Sequence, residues 1–269
     1  MQTLSDSPKM FASVKTLALW TTILLAANVL FDIIQVGFES LQLFLISSQP
    51  ETAAAALSDN DTDISEMPGA GLQLAVLLHA GVAAIFNLLV LIATIIVFLI
   101  WEHRANSNLR PLGVPRPEFS SRWAVGSWFV PFLNLVVPFQ IVRYIWRKSD
   151  PDTVKANGGS GPWNYSGAGE LTLKAWWGFW IAMGIVSRFS DRISFRISLR
   201  AKELSEHELA SWAGIIASTL AVIAALLAIS VVRGVTARQE ERHKRLMAAS
   251  QPQFWSQPHS AGGAQPNVT

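Results

Sequence analysis

In the first apolar stretch of the chain, Asn28, Asp32, Gln35 and Glu39 stand at i, i+4, i+7 and i+11. On a helix that spacing gathers all four on one face. A charged side chain in hydrocarbon costs about 2.5–3.5 kcal/mol on insertion scales, so Asp32 is expected to be shielded by protein and hydrogen-bonded to the second helix. The second apolar stretch carries His79, Asn87 and Thr94 on one side. A carboxylate facing an imidazole relays a proton or holds a cation, but a satisfied interhelical hydrogen bond is the commoner use of such residues. Two alignments stay open. Matched from their outer ends, the helices bring Asp32 level with His79; matched from their inner ends, they bring Asn28 to Asn87.

A second concentration of unusual residues runs from Trp123 to Val142. Pro131 and Pro138 each lack a backbone donor and disfavour helix at the preceding Val130 and Val137. Two breaks are therefore expected, flanking a short turn that contains Asn134. An asparagine amide donates to a carbonyl and accepts from an N–H, so Asn134 is expected to hold this turn, a ligand contact being the alternative. Trp128 belongs to the same motif. Beyond it, Arg143, Arg147 and Lys148 follow at helical spacing. They suit anionic lipid headgroups at about 1 kcal/mol each near the surface, or serve as plain inside-directing charges.

Reactive signatures are absent from the sequence. There is no Cys, hence no disulfide, thiolate ligand or cysteine nucleophile. His207-Glu208 opens like a zinc-protease helix, but position 211 is Ser211. The glycine-rich run 157–162 lacks the Lys-Ser/Thr ending of a phosphate loop. Arg188, Arg192, Arg196 and Arg200 repeat every fourth residue, yet the intervening Ser and Asp make the stripe too polar to cross a bilayer, and a solvated helical extension is expected. No enzyme activity, cofactor or metal is expected. A net charge of +2 implies no nucleic-acid partner. Expected partners are the lipid bilayer, its anionic headgroups, and another protein or a second copy of the chain.

The elements that must position these residues are membrane helices. A chain of 269 residues that is 51% hydrophobic, 15% charged and +0.33 in mean hydropathy is a membrane protein by composition. Four apolar stretches reach the roughly 20 residues a crossing needs: Thr16 to Phe38, Leu72 to Trp101, Leu171 to Phe189 and Ala210 to Val232. The expected fold class is all-α, with four transmembrane helices and a proline-broken hairpin or interfacial segment, 123–142, between the second and third.

Charge sets the orientation. No Lys or Arg occurs from Thr16 to His103, and the loop between the first two helices, 39–71, carries Glu51, Asp59, Asp61, Asp63 and Glu66. That loop belongs outside the cytoplasm. If 123–142 does not cross, 16 cations fall inside and 5 outside; if it crosses, the partition is 11 to 10. The first arrangement obeys the positive-inside rule and leaves both termini cytoplasmic. The membrane domain is expected to span 1–239. The Gln-, Pro- and Ser-rich remainder, 240–269, reads as a disordered cytoplasmic tail.

Trp128-Phe129-Val130-Pro131-Phe132-Leu133-Asn134, with Pro138, Val142-Arg143, Ile145-Trp146-Arg147, and then Trp176-Trp177 and Trp180, resembles a bacterial membrane family catalogued as domain of unknown function 4328. The likeness runs from the first helix to about Gln239. It implies a helical fold in a bacterial inner membrane and no reaction. The acidic loop and the tail are additions to the pattern.

Overall fold

The computed structural model describes residues 10–48, 70–114, 116–153, 167–200 and 204–250. The acidic residues of the first loop and the chain beyond Ser250 lie outside the described residues. Those described form an all-α protein without a strand. Four long helices, α1 (Lys15–Ser48), α2 (Ala70–Ser107), α5 (Gly167–Arg200) and α6 (Leu204–Ser250), are accompanied by two short ones, α3 (Ser121–Gly126) and α4 (Val137–Lys148). With 34 to 47 residues each, the long helices reach about 50–70 Å at 1.5 Å per residue, well beyond a hydrocarbon core of about 30 Å. The helical extension expected at Arg188 to Arg200 is the last part of α5. Contrary to the expected tail from 240, α6 continues to Ser250.

Among the described residues three helices, not the four expected, are long and apolar enough to cross a membrane: Lys15–Leu41, Ala84–Ser107 and Glu208–Ser250. Helix α5 falls short because Lys174 and Arg188 bound its apolar part and Trp176, Trp177 and Trp180 occupy the first half of it. Indoles are amphipathic and contribute less apolarity than Leu or Ile.

The long helices are laid out in the order α2, α1, α6, α5, each packed on its neighbour. Helices α1 and α2 run antiparallel. Asn28 Nδ2 donates to Thr94 Oγ1 at 2.9 Å, and at the helix ends Asn108 Nδ2 donates to Ala12 O at 2.8 Å. This register corrects both expected alignments, because Asn28 meets Thr94 instead of Asn87. Counted from that bond, Gln35 is level with Asn87 and Asp32 with Val90. Position 79 is level with position 43, about 16 Å along the axis from Asp32.

Helices α1 and α6 are antiparallel as well. Lys15 pairs with Glu240 at 3.3 Å near one end, while Glu39 lies over Gly214 near the other. The start of α1, the end of α2, the start of α5 and the second half of α6 therefore share one end of the molecule. Residues 119–153 pack there, and we call it the closed end. Both clusters of fully buried side chains lie at it.

Candidate functional site

Helix α4 holds the closed end together. Pro138 sits in its first turn, where a missing N–H costs no hydrogen bond, so this proline starts a helix and does not interrupt one. Pro138, Ile141, Val142 and Ile145 follow at helical spacing and are buried. Ile141 and Ile145 enter a core with Val14, Trp101, Leu109, Val232 and Val235; Val142 enters a second core with Leu173, Trp176 and Val231. Trp146 is wedged between α5 and α6 in the space left by Gly169 and Gly234, with the Arg238 guanidinium 4.1 Å from its ring.

An aromatic cluster closes the space between α2 and α5. Trp128 meets Phe98, Trp177 and Trp180 edge to face at 5.6–5.9 Å, and Trp177 stacks on Trp180 at 4.8 Å. Such pairs contribute about 0.5–1.5 kcal/mol each beyond the area they bury. Beside the cluster, Glu102 has no solvent exposure, and its Oε2 accepts from Trp128 Nε1 at 2.7 Å. Its Oε1, and Asn106 Oδ1 one turn further along α2, have no hydrogen-bond partner among the described residues. The sequence reading missed Glu102 because it stands at the end of an apolar run beside His103 and Arg104, where a charge looks interfacial.

Buried polar side chains tie the connecting segments to the helices. Asn106 Nδ2 donates to Phe119 O at 3.0 Å, and Gln239 Nε2 donates to Ala105 O at 2.8 Å and to Ser149 Oγ at 3.1 Å. Arg242 Nε donates to Leu112 O and its Nη1 to Asp150 O, both at 2.7 Å. Gly113, at φ 90°, turns the chain just after Leu112 in a conformation that a side chain would strain.

On the opposite side of α4, Arg143 and Arg147 both bind Glu170 in the first turn of α5. Arg147 Nη2 reaches Glu170 Oε1 and Oε2 at 2.7 and 2.8 Å, Arg143 Nη2 donates to Oε1, and Lys174 Nζ lies 4.0 Å away. Hydrogen bonds from Arg147, and to a lesser degree from Arg143, hold the Glu170 carboxyl below the usual carboxylate range against the opposing effect of its burial. Lys148 lies over the Tyr144 ring, 5.8 Å from its centroid.

The residues singled out in the sequence are not gathered into one centre. Asn28, Asp32 and Gln35 are half-buried along α1, and Asn87 is half-buried on α2. Among the described residues Asp32 makes no bond to the second helix; Asn28 makes the interhelical bond one turn earlier. His79 lies in α2, but its side chain is outside the described residues. Trp128, Pro131, Asn134 and Pro138 are at the closed end, in the sequence α3, a 3₁₀ turn at Ser127–Phe129, a turn at Pro131 and Phe132, a second 3₁₀ turn at Leu133–Leu135, and α4.

Asn134 closes its break with its backbone, its N–H donating to Val130 O at 3.0 Å. The next carbonyl, Leu135 O, is taken by Trp177 Nε1 at 3.0 Å. The side-chain role expected of Asn134 is thereby filled by Trp177. Asn134→Leu should accordingly change stability by less than about 1 kcal/mol, whereas Trp177→Phe should cost about 1–3 kcal/mol by leaving Leu135 O unpaired. Melting curves of the two variants in one detergent check this, and the reverse order would restore the asparagine as the pin.

Three apolar membrane-length helices with a helical cap closing one end define the class: a multi-pass helical membrane protein. Within it, residues 70–237, more than half of the chain, match the family described as Domain of unknown function (DUF4328), and the chain belongs to that family. The matched residues begin at the start of α2, and the likeness expected over α1 lies outside them. No curated protein and no solved structure matches the chain.

Proposed function

We propose that this chain is a non-enzymatic protein of the bacterial inner membrane, crossing it four times with both termini cytoplasmic, and that it acts as a scaffold or sensor on the cytoplasmic face. Connectivity supports the fourth crossing. Trp146 abuts Gly169 near the start of α5 and Gly234 in the second half of α6. The chain has to travel to the far end before α6 can begin, and α5 is the segment that makes the journey. Lys174 and Arg188 can snorkel to either interface. With the closed end cytoplasmic, 16 of 21 cations lie inside.

Residues 123–142 are, in this reading, an interfacial segment dipping into the inner leaflet. At its tip Phe129 is 69% and Phe132 85% exposed. Phe132 has φ 65° and ψ −40°, a sparsely populated conformation that costs on the order of 1–3 kcal/mol. An apolar ring held away from the protein on strained backbone suits lipid better than water.

The observation that carries the scaffold reading is the use made of buried polar groups. Asn106, Gln239 and Arg242 each bond backbone carbonyls of other segments, which stiffens a platform and assembles no reaction centre. Anionic lipids and a protein partner or second copy are the ligands this reading implies. Reporters fused after Lys155 and after Ala249 should both report cytoplasmic, and an extracytoplasmic signal at either position overturns the topology. A small transporter or ion-handling protein is the alternative, favoured by the half-buried stripe of Asn28, Asp32 and Gln35. Ion flux into proteoliposomes that disappears in Asp32→Asn would favour it.

A further inference from the structure

We infer that Arg143, Arg147 and Lys174 form a binding site for a phosphate group, and that Glu170 is an internal anion that occupies it until a phosphate displaces it. The inference rests on the membrane reading only for the source of the phosphate. Three cations converge on one carboxylate, so the cluster carries an excess of two positive charges. Arg147 bonds both Glu170 oxygens and Arg143 one of them, while the buried Arg143 Nε finds no acceptor among the described residues. A phosphate presents three or four oxygens and matches two guanidinium forks plus an ammonium better than one carboxylate does.

Access and depth fit this ligand. The side chains of Arg143, Arg147 and Lys174 are 35%, 29% and 61% exposed, against 19% for Glu170. The cations therefore lie outside the acid and can be approached from the surface. Glu170 is in the first turn of α5, where the helix dipole favours an anion at the same place. Leu171, the next residue, is exposed and apolar. The cluster thus lies where apolar surface begins, the level of a lipid headgroup. Displacing Glu170 would also remove both ion pairs between α4 and α5, because both end on this one residue, and leave that contact to its apolar packing.

The test uses the full chain in neutral detergent micelles, with its melting temperature as the readout and three probes: short-chain phosphatidic acid, short-chain phosphatidylcholine and inorganic phosphate. Phosphatidic acid should stabilise the wild type saturably. Glu170→Gln should bind it at least about twofold more tightly, because the competing part-exposed ion pairs are gone. Lys174→Gln, a change at an exposed position, should bind it more weakly while melting like the wild type without ligand. Stabilisation by inorganic phosphate as well would support the site and identify free phosphate as a source; stabilisation by phosphatidic acid alone would support it and identify the headgroup. Equal stabilisation by phosphatidylcholine, or unchanged or weaker binding in Glu170→Gln, would overturn the proposal. Micelle measurements do not depend on topology, so this result and that of the reporter fusions fail separately.

Discussion

Gly234→Val should lower the stability of the protein by about 1–3 kcal/mol or more, the range in which overfilled cores fall. A Cβ at position 234 would stand 2.5 Å from Trp146 Cζ3 and 2.7 Å from Cη2, closer than packed carbon atoms come. The indole has nowhere to retreat. Across from Gly234 it meets Gly169, where a Cβ would lie 2.9 Å from Cε2, and the Arg238 guanidinium covers its ring. Trp146 is also fixed along α4 by the fully buried Ile145 and Val142. Relief has to come from separating α4, α5 and α6, which opens both cores. Thermal unfolding in detergent measures the loss, and the double variant Gly234→Val, Trp146→Leu should recover part of it. Full additivity of the two changes, or a melting temperature for Gly234→Val within error of the wild type, would remove the wedge from this account.

Arg242→Met should cost about 3–5 kcal/mol, because it strands two carbonyls that charged donors now satisfy. The residue is 5% exposed and holds Leu112 O and Asp150 O at 2.7 Å, joining the turn after α2 to the end of the α4 segment. Arg242→Lys should recover little, since one ammonium cannot reproduce a fork that reaches two segments. Arg245→Met is the internal control. Its side chain is 41% exposed and pairs with Asp152 and Glu241, so its loss should stay under about 1 kcal/mol. Limited proteolysis reads the local effect: cleavage within 104–153 should accelerate in Arg242→Met and not in Arg245→Met. Equal protection in both would mean that these segments are held by α4 packing alone.

Much of the fold is legible in local pattern. Uninterrupted apolar runs specify α1, α2 and α6, because a bilayer rewards length and apolarity without reference to any partner. Pro131 falls in the turn between the two 3₁₀ turns and Pro138 in the first turn of α4, and the buried face of α4 follows from the spacing of Ile141, Val142 and Ile145. Position 240 misled for a related reason: the sequence from Glu240 to Ser250 is polar enough to look unfolded, yet Arg242 and Gln239 spend that polarity on buried carbonyls and the helix goes on.

Partnership is what local pattern does not contain. Asn28 bonds Thr94, 66 residues away, and the bond turns on the depth at which two featureless apolar helices come to rest. Arg143 and Arg147 read as free surface cations until α5 brings Glu170 between them. Glu102 reads as an interfacial charge until Trp128 folds over it. The sequence by itself determined that this is a helical membrane protein with a basic, proline-punctuated segment between its apolar stretches. Only the tertiary structure decided which polar groups meet and how deeply each is buried, because sliding one helix past another leaves its hydrophobic periodicity unchanged while it exchanges every contact across the interface.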